Sequence, residues 1–507
     1  MFGPFRHYIR PYIRHILLGL AAIAVAQAAA ARVPLLLGDA VNSIDPGAPA
    51  SRTLDVVYLM VAQILALALV VAAGNYAMRR LLGFTSTHIE YDIRTAYFSH
   101  LMKLPLAYYQ THKTGDLMAR ATNDLSSVRI FFMYGVRGLA EIALTLAFTI
   151  TMMCLIDLRL SLIVLVPLVL LSLFLIRIAG LVHARFGAIQ RFFGLMSNFI
   201  QENLAGIRVV KAYVQGPAQT TAFEKLNASY LEKNNLLIQT HAVYRPFTHL
   251  VASIGLGLNL WFGGHALVEG SISIGDFVAL NAYLTVLIRP IAYVGWVLDR
   301  VQRALVAMRR INDVLNAEPP AEKQTFVARG RRLAGGIRFR NLSFNYGEHQ
   351  ILRSIDLDIP AGSTLGICGR VGAGKTTLVR LIPRLILSNP GELLLDNVPI
   401  EDWPLEQIRA EIGFVSQVPF LFSNSVSANL AYGRPDASQE RIVDAAAQAE
   451  LSEDVAEFDD GFATLIGERG VTLSGGQKQR ATLGRALLAD PRILILDDAL
   501  SAVDTRT

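Results

Sequence analysis

The chain has 507 residues, 52% of them hydrophobic and only 17% charged, with 47 Lys plus Arg against 41 Asp plus Glu for a net charge of +6. Soluble domains average about 25% charged, so this composition argues against a single water-soluble globule and against disorder, and points to a membrane protein. The small cationic excess is not that of a nucleic-acid binder and suits an anionic lipid leaflet, while the two distant cysteines, Cys154 and Cys368, can build neither a disulfide framework nor a four-ligand zinc site.

Residues 1–15 include FRHYIRPYIRH, in which Phe, Tyr and Ile interleave with Arg and His. That pattern predicts an interfacial helix lying on membrane lipid at the inner leaflet. Residues 16–41 then form an apolar run long enough, at 1.5 Å per residue, to cross about 30 Å of hydrocarbon. Comparable runs at 54–82, 136–156, 160–180, 247–269 and 275–298 bring the predicted crossings to six. Basic residues cluster before the first run, between the second and third (Arg94, Lys103, Lys113, Arg120, Arg129) and between the fourth and fifth (Arg185, Arg191, Arg208, Lys211, Lys225, Lys233). By the positive-inside rule these segments and the N-terminus face the cytoplasm, in an inner (plasma) membrane. Both long connections stay helical in pattern, so they are predicted to prolong the membrane helices into the cytoplasm, and Glu141 and Arg177 need not sit in lipid. Arg32, Asn75, Asn259, His265 and Trp296 either line a path for a substrate or pack between helices, and no pattern among them names a ligand.

Residues 16–316 are thus read as an all-α membrane domain. Around residue 317 the character changes to AEPPAEKQTFVARGRRLAGG, a Pro- and Gly-bearing linker over 317–335. From 336 to 507, β-type runs (IRFRNLSFNY, LRSIDLDI, STLGICG, RILILDD) alternate with helical stretches, which predicts a P-loop α/β domain.

Chemistry concentrates in that second part. Gly369 to Thr377 reads GRVGAGKTT between the predicted strand STLGICG and a helix. Gly369, Gly372 and Gly374 let backbone N–H groups converge on phosphates, with Arg370, Ala373 and Thr377 completing the loop. Lys375 supplies charge to the β/γ phosphates and Thr376 offers its hydroxyl to Mg²⁺. The apolar run ILILDD ends in two carboxylates, of which Asp497 is placed to bind Mg²⁺ and Asp498 to polarise an attacking water. In LSGGQKQR, Ser474, Gly475 and Gly476 open a second helix N-terminus able to hold an anion.

The ordered series GRVGAGKTT, FVSQ, LSGGQKQR, ILILDD and SAVD resembles the nucleotide-binding domain of ATP-binding cassette (ABC) transporters, and the six preceding runs resemble the membrane domain of an ABC exporter half-transporter. The resemblance implies ATP and Mg²⁺ as ligands, Tyr346 stacking on adenine, and Gln417 touching Mg²⁺ and the lytic water. It also implies that Ser474, Gly475, Gly476 and Gln477 grip nucleotide held by a second half-transporter. Asp504 would communicate between the two sites, Glu468 would meet the partner, and KTGDLMARATND (113–124) and ENLAGIRVVKAY (202–213) would be the coupling loops. A hydrophobic or amphipathic substrate, drug-like or lipid, follows by analogy.

Two departures from the family pattern carry consequences. Asp498 stands where Glu is common, and one methylene fewer withdraws the carboxylate by roughly 1.3 Å from a proton it must approach within about 3 Å. Slow hydrolysis at this chain's own site, beside an intact signature, favours a heterodimer over a homodimer and leaves open a regulatory, channel-like role. The sequence also stops at Thr507, just after SAVD, before a switch histidine and further strands, so the nucleotide domain is expected to be incomplete.

Overall fold

The structure is a computed structural model that describes residues 5–44, 50–319, 328, 330–467 and 473–499. Two compact units divide the chain: Met1–Met102 with Gly115–Ala317, and Lys103–Thr114 with Glu318–Thr507.

The first unit is built from long helices. They are α1 (Ile13–Asn42), α2 (Ala50–Leu101), α3 (Val136–Ile156), α4 (Leu158–Ala205), α5 (Gly216–Leu258) and α6 (Ile274–Leu315). Leu- and Ala-rich runs satisfy every backbone group within the segment, as hydrocarbon requires. Pro34, Pro167, Pro246 and Pro290 sit inside α1, α4, α5 and α6 without ending them. Six crossings are predicted from sequence; among the described residues, four helical stretches are long and apolar enough to cross a membrane, Arg6–Asn42, Leu54–Leu101, Thr114–Ile156 and Ile274–Leu315. The apolar part of α4, Leu158–Phe174, is shorter. The run at 247–269 lies over the end of α5, a π turn at Asn259–Gly263 and a short helix at Gly264–Val268.

Backbone proximity joins α1 to α6. A Cβ on Gly38 would fall 2.5 Å from the Gly275 carbonyl oxygen, so the crossing tolerates no side chain there. Asn42 completes the junction, donating to Ser273 Oγ at 2.8 Å and accepting from the Gly275 N–H at 2.7 Å. The apolar core of this unit gathers Met153, Leu160, Leu171, Leu280, Tyr283 and Leu287. At the N-terminus, Phe5 is buried and the Tyr12 hydroxyl donates to Asp92 of α2 at 2.9 Å.

The predicted helical prolongations are present but broken. After Leu101 the chain passes through an extended Pro105, then short helices at Leu106–Thr111 and Thr114–Ala119, a π turn at Arg120–Asp124, a helix at Leu125–Ile130 and a second π turn at Phe131–Gly135. Pro105, in extended conformation, supports the break because it lacks an N–H and disfavours the helical conformation for the residue before it. Between α4 and α5, Gly206 and Val214, the latter at φ 52°, bracket a short helix at Ile207–Ala212.

The second unit holds an antiparallel sheet of β1 (Ile337–Tyr346), β2 (His349–Ile359), β3 (Leu393–Leu395) and β4 (Val398–Pro399), in the order β2-β1-β3-β4. A separate parallel pair joins β5 (Ile412–Val415) to β6 (Ile493–Leu496). Helix α7 (Lys375–Leu381) packs Leu378 and Leu381 into a core with Phe339, Leu393, Trp403 and Ile495. Helix α8 (Gly475–Leu488) runs through a second cluster containing Leu430, Ile442, Leu473 and Ala481.

One expectation is corrected. STLGICG does not form a strand: residues 363–369 join no ladder among the described residues, and Leu365 and Ile367 remain 43% and 39% exposed. An apolar run becomes a strand only where a neighbour accepts and donates its backbone hydrogen bonds. The end of the linker, by contrast, is pinned. The Asp396 carboxylate accepts from the N–H groups of Ala334, Gly335 and Gly336 at 2.6, 3.1 and 2.8 Å.

Candidate functional site

Around Gly369–Thr377 the backbone turns through two left-handed glycines, Gly372 at φ 81° and Gly374 at φ 90°. Gly374 is the residue before α7, and a Cβ there would strike Leu352 and Ile351 of β2 at 2.8 and 3.0 Å. Both its conformation and its space therefore demand glycine. The Lys375 ammonium curls back over the loop, donating to the carbonyls of Gly369 at 2.7 Å and Arg370 at 3.0 Å. A further turn bond runs from the Ala373 N–H to the Arg370 carbonyl at 3.2 Å, and Thr377 is buried against the core.

The parallel pair β5 and β6 delivers three polar side chains to one edge. Thr376 Oγ1 donates to Asp497 Oδ1 at 2.9 Å, which ties the start of α7 to the end of β6 across a separation of 121 residues. Asp497 is buried, and its Oδ2 has no hydrogen-bond partner among the described residues. A buried carboxylate oxygen left without a donor, beside a hydroxyl, is a donor set that fits a hard divalent cation such as Mg²⁺. Gln417, just past β5, donates through Nε2 to Asp498 Oδ2 at 3.3 Å. Asp498 itself takes φ 53°, a left-handed backbone that Asp tolerates better than most residues.

Tyr346 closes β1 at the tip of the β1–β2 hairpin, opposite His349, with its ring edge-on to Phe344 at 4.9 Å. The ring is 37% exposed, on the hairpin whose Ile351 and Leu352 back Gly374.

The signature segment is organised by its own helix. Ser474 caps α8, its Oγ accepting from the Gln477 N–H at 3.2 Å while Gln477 Oε1 accepts from the Ser474 N–H at 2.8 Å. This reciprocal box fixes the entry angle and leaves Gly475 and Gly476 at the open end of the helix. Leu473 and Ala481 belong to the helical cluster, whereas the phosphate loop packs on the sheet core. The structure thus brings Lys375, Thr376, Asp497, Asp498 and Gln417 into one constellation and builds Ser474–Gln477 on another support. Glu468 and Asp504 lie outside the described residues.

Comparison with known proteins agrees with this architecture. Residues 16–291 match the ABC transporter transmembrane region and residues 352–501 match the ABC transporter domain. The chain belongs to the ABC transporter family. The multidrug resistance-like ATP-binding protein MdlA of Escherichia coli is 32% identical over 89% of this chain and 77% of its own length. MdlA of Buchnera aphidicola is 34% identical over 88% and 77%. A Bacillus subtilis protein named as a probable multidrug resistance ABC transporter ATP-binding/permease protein, YheI, is 32% identical over 94% and 81%. As an ABC transporter chain, the protein is a membrane protein that binds ATP and couples its hydrolysis to transport.

Within this ABC domain, two anchors escape sequence inspection. Asp454 accepts from Gln477 Nε2 at 3.1 Å and pairs with Arg480 at 2.6 Å, holding the first turn of α8 from a helix about twenty residues upstream. Arg485 donates to the Asn429 carbonyl at 2.8 Å, to Asn429 Oδ1 at 3.0 Å and to the Phe420 carbonyl at 3.0 Å, with its guanidinium 5.5 Å from the Tyr432 ring. Burial lowers the Arg485 pKa from its ordinary value, and Tyr432 opposes that shift. Only the three-dimensional neighbourhood reveals either role.

Proposed function

We propose that this chain is one half of an ABC exporter that drives an amphipathic substrate, drug-like or lipid, across the bacterial inner membrane, paired with a second, non-identical half-transporter. The observation that carries the reading is the constellation at the edge of β5 and β6. Thr376 and Asp497 share a hydrogen bond beside the phosphate loop, and Gln417 reaches Asp498 in the same place. Six crossings, with the N-terminus and the nucleotide domain cytoplasmic, are supported by helix over each of the six apolar runs and by the distribution of Lys and Arg.

In this reading the loop Gly369–Thr377 wraps the ATP phosphates with backbone N–H groups, and Lys375 leaves its carbonyl acceptors to meet them. Tyr346 covers the adenine. Thr376 and Asp497 would hold Mg²⁺, which when bound would supply positive charge against the β and γ phosphates. Gln417 and Asp498 orient the attacking water. Ser474, Gly475, Gly476 and Gln477 present a helix N-terminus to the nucleotide bound by the partner. Closure of the paired domains moves segments 113–124 and 202–213, and the membrane helices exchange inward for outward access. The shift is driven only to the extent that ATP binds one state more tightly than the other.

Asp498 makes this chain's own hydrolytic site the weaker of the two. The same residue favours a second reading, in which ATP gates rather than pumps. ATPase assays of the purified pair test the assignment. Ser474→Arg, which damages the partner's stronger site, is expected to reduce turnover more than Lys375→Ala, which weakens ATP binding at the slow site. The reverse order overturns the asymmetric heterodimer.

A further inference from the structure

The membrane unit carries a cluster whose chemistry narrows the substrate. On α6, Arg289, Tyr293, Trp296 and Arg300 recur at helical spacing and share one face. The rings of Tyr293 and Trp296 stack at 4.8 Å with an interplanar angle of 25°. Tyr134, in the π turn before α3, meets Trp296 edge-on at 6.2 Å, and the Arg300 guanidinium lies 5.0 Å over the same indole. Across from them on α3, Arg137 pairs with Glu141 at 3.3 Å. The two helices touch at Gly138, where a Cβ would come 2.6 Å from Val297 and 3.5 Å from the Tyr293 ring. Tyr293 is within electrostatic reach of Arg137, Glu141, Tyr134 and Arg289.

Charge accounting singles out the cations. Glu141 neutralises Arg137, but neither Arg289 nor Arg300 has a carboxylate partner among the described residues, and Arg300 Nε is buried without a hydrogen bond. Tyr134, Tyr293 and Trp296 are 37%, 39% and 36% exposed, so the ring edges remain open to a ligand. Arg289, Tyr293 and Trp296 lie within the apolar run 275–298, and guanidinium groups in such a segment face water-filled or protein-lined space rather than lipid tails. Aromatic surface that takes an apolar body, with two uncompensated guanidiniums that take an anionic head, defines one class of molecule.

We propose that this cluster binds an amphipathic anion, the head held by Arg300, whose guanidinium lies on Trp296, and the apolar body laid on Tyr134, Tyr293 and Trp296, with Arg289 adding positive charge from about 16 Å farther along the helix. The inference rests on the exporter reading and narrows its substrate class: an amphipathic cation would meet the two unpaired guanidiniums.

The full chain, with its partner where that is required for purification, is reconstituted in nanodiscs of zwitterionic lipid. Tryptophan fluorescence is titrated with 12-bromododecyl phosphate or with 12-bromododecyltrimethylammonium, and the signal of Trp296→Phe is subtracted to isolate the site. The expected result is saturable quenching by the phosphate alone, with Kd raised about tenfold by Arg300→Gln and less by Arg289→Gln, and quenching relieved by a non-hydrolysable ATP analogue. Equal quenching by both probes, or no effect of either arginine change, overturns the proposal. Quenching that persists in the presence of the nucleotide analogue assigns the anion to resident phospholipid and overturns a transport role. A fluorescent nucleotide titration, run alongside, reads ATP binding independently. Its failure would sink the exporter reading while leaving the anion titration interpretable.

Discussion

In the proposed site, Asp498 is the residue on which hydrolysis by this chain would turn. Its carboxylate already accepts from Gln417 at 3.3 Å, so the side chain points toward the correct edge of the sheet and is short rather than misdirected. Asp498→Glu restores the missing methylene and is expected to raise ATP turnover at this site by on the order of a hundredfold, the usual range for a correctly placed general base. Phosphate release measured with the partner's own hydrolytic site disabled checks this, and an unchanged rate would remove Asp498 from the catalytic assignment. Arg485 acts differently, by holding the signature helix to the segment that follows Gln417. Its loss strands the carbonyls of Asn429 and Phe420 and opens space beside Tyr432. Arg485→Ala is expected to cost about 3 kcal/mol, read as a lowered melting transition of the nucleotide domain by fluorimetry of the full chain. Arg485→Lys keeps the charge but not the planar fork that reaches three acceptors, so it recovers only part of the loss.

At the scale of elements, the Asp396 clasp makes the clearest case for a local structure with a measurable opening. One carboxylate satisfies three successive N–H groups at 334–336, and Gln407 donates to the Arg331 carbonyl and accepts from the Gly330 N–H. Asp396→Ala removes the first set, at a cost of about 2 kcal/mol, so opening around Arg331 and Arg332 becomes roughly thirtyfold more frequent. Trypsin cleavage after those arginines should accelerate accordingly in a native-state digest; an unchanged rate would mean that the segment is held by other contacts. This clasp was illegible in the sequence because Asp396 lies 60 to 62 residues from its donors. What could be read was whatever depends on local order: the apolar runs that become α1 to α6, the glycine spacing that forces the phosphate loop, the helix N-terminus that Ser474, Gly475 and Gly476 open. The failures are non-local. STLGICG has strand composition but no ladder, and the signature helix owes its anchoring to Asp454 and Arg485, whose partners come from distant segments. The helix breaks were not anticipated either: both connections read as continuous helix, and although Pro105 marks one break, the π turns at 120–124 and 131–135 carry no Pro.

For the molecule as a whole, α6 is the element able to connect nucleotide-driven motion with a ligand in the membrane. Its 42 residues span roughly 60 Å as one helix, carrying the Tyr293–Trp296 stack part-way along and Arg310 near its end. Arg310 pairs with Asp116 and, at 3.0 Å, with Asp124, while Arg120 pairs with Asp116 at 2.8 Å and donates to the Arg310 carbonyl at 2.8 Å. Asp116, Arg120 and Asp124 all belong to the segment 113–124 proposed to couple the domains. Displacement of that segment must therefore either drag α6 or break three charged contacts, the two Arg310 ion pairs and the Arg120 bond to the Arg310 carbonyl, and these contacts, partly shielded from solvent, favour dragging. Arg310→Ala should accordingly leave ATP binding at Lys375 intact and preserve basal hydrolysis, but abolish stimulation of ATPase activity by an amphipathic anion. Arg310→Lys, which keeps the charge and reaches one carboxylate at a time, should restore part of that stimulation. The decisive measurement is the ratio of ligand-stimulated to basal phosphate release in nanodiscs. A ratio as high in Arg310→Ala as in the parent would show that coupling does not depend on the Arg310 ion pairs to Asp116 and Asp124.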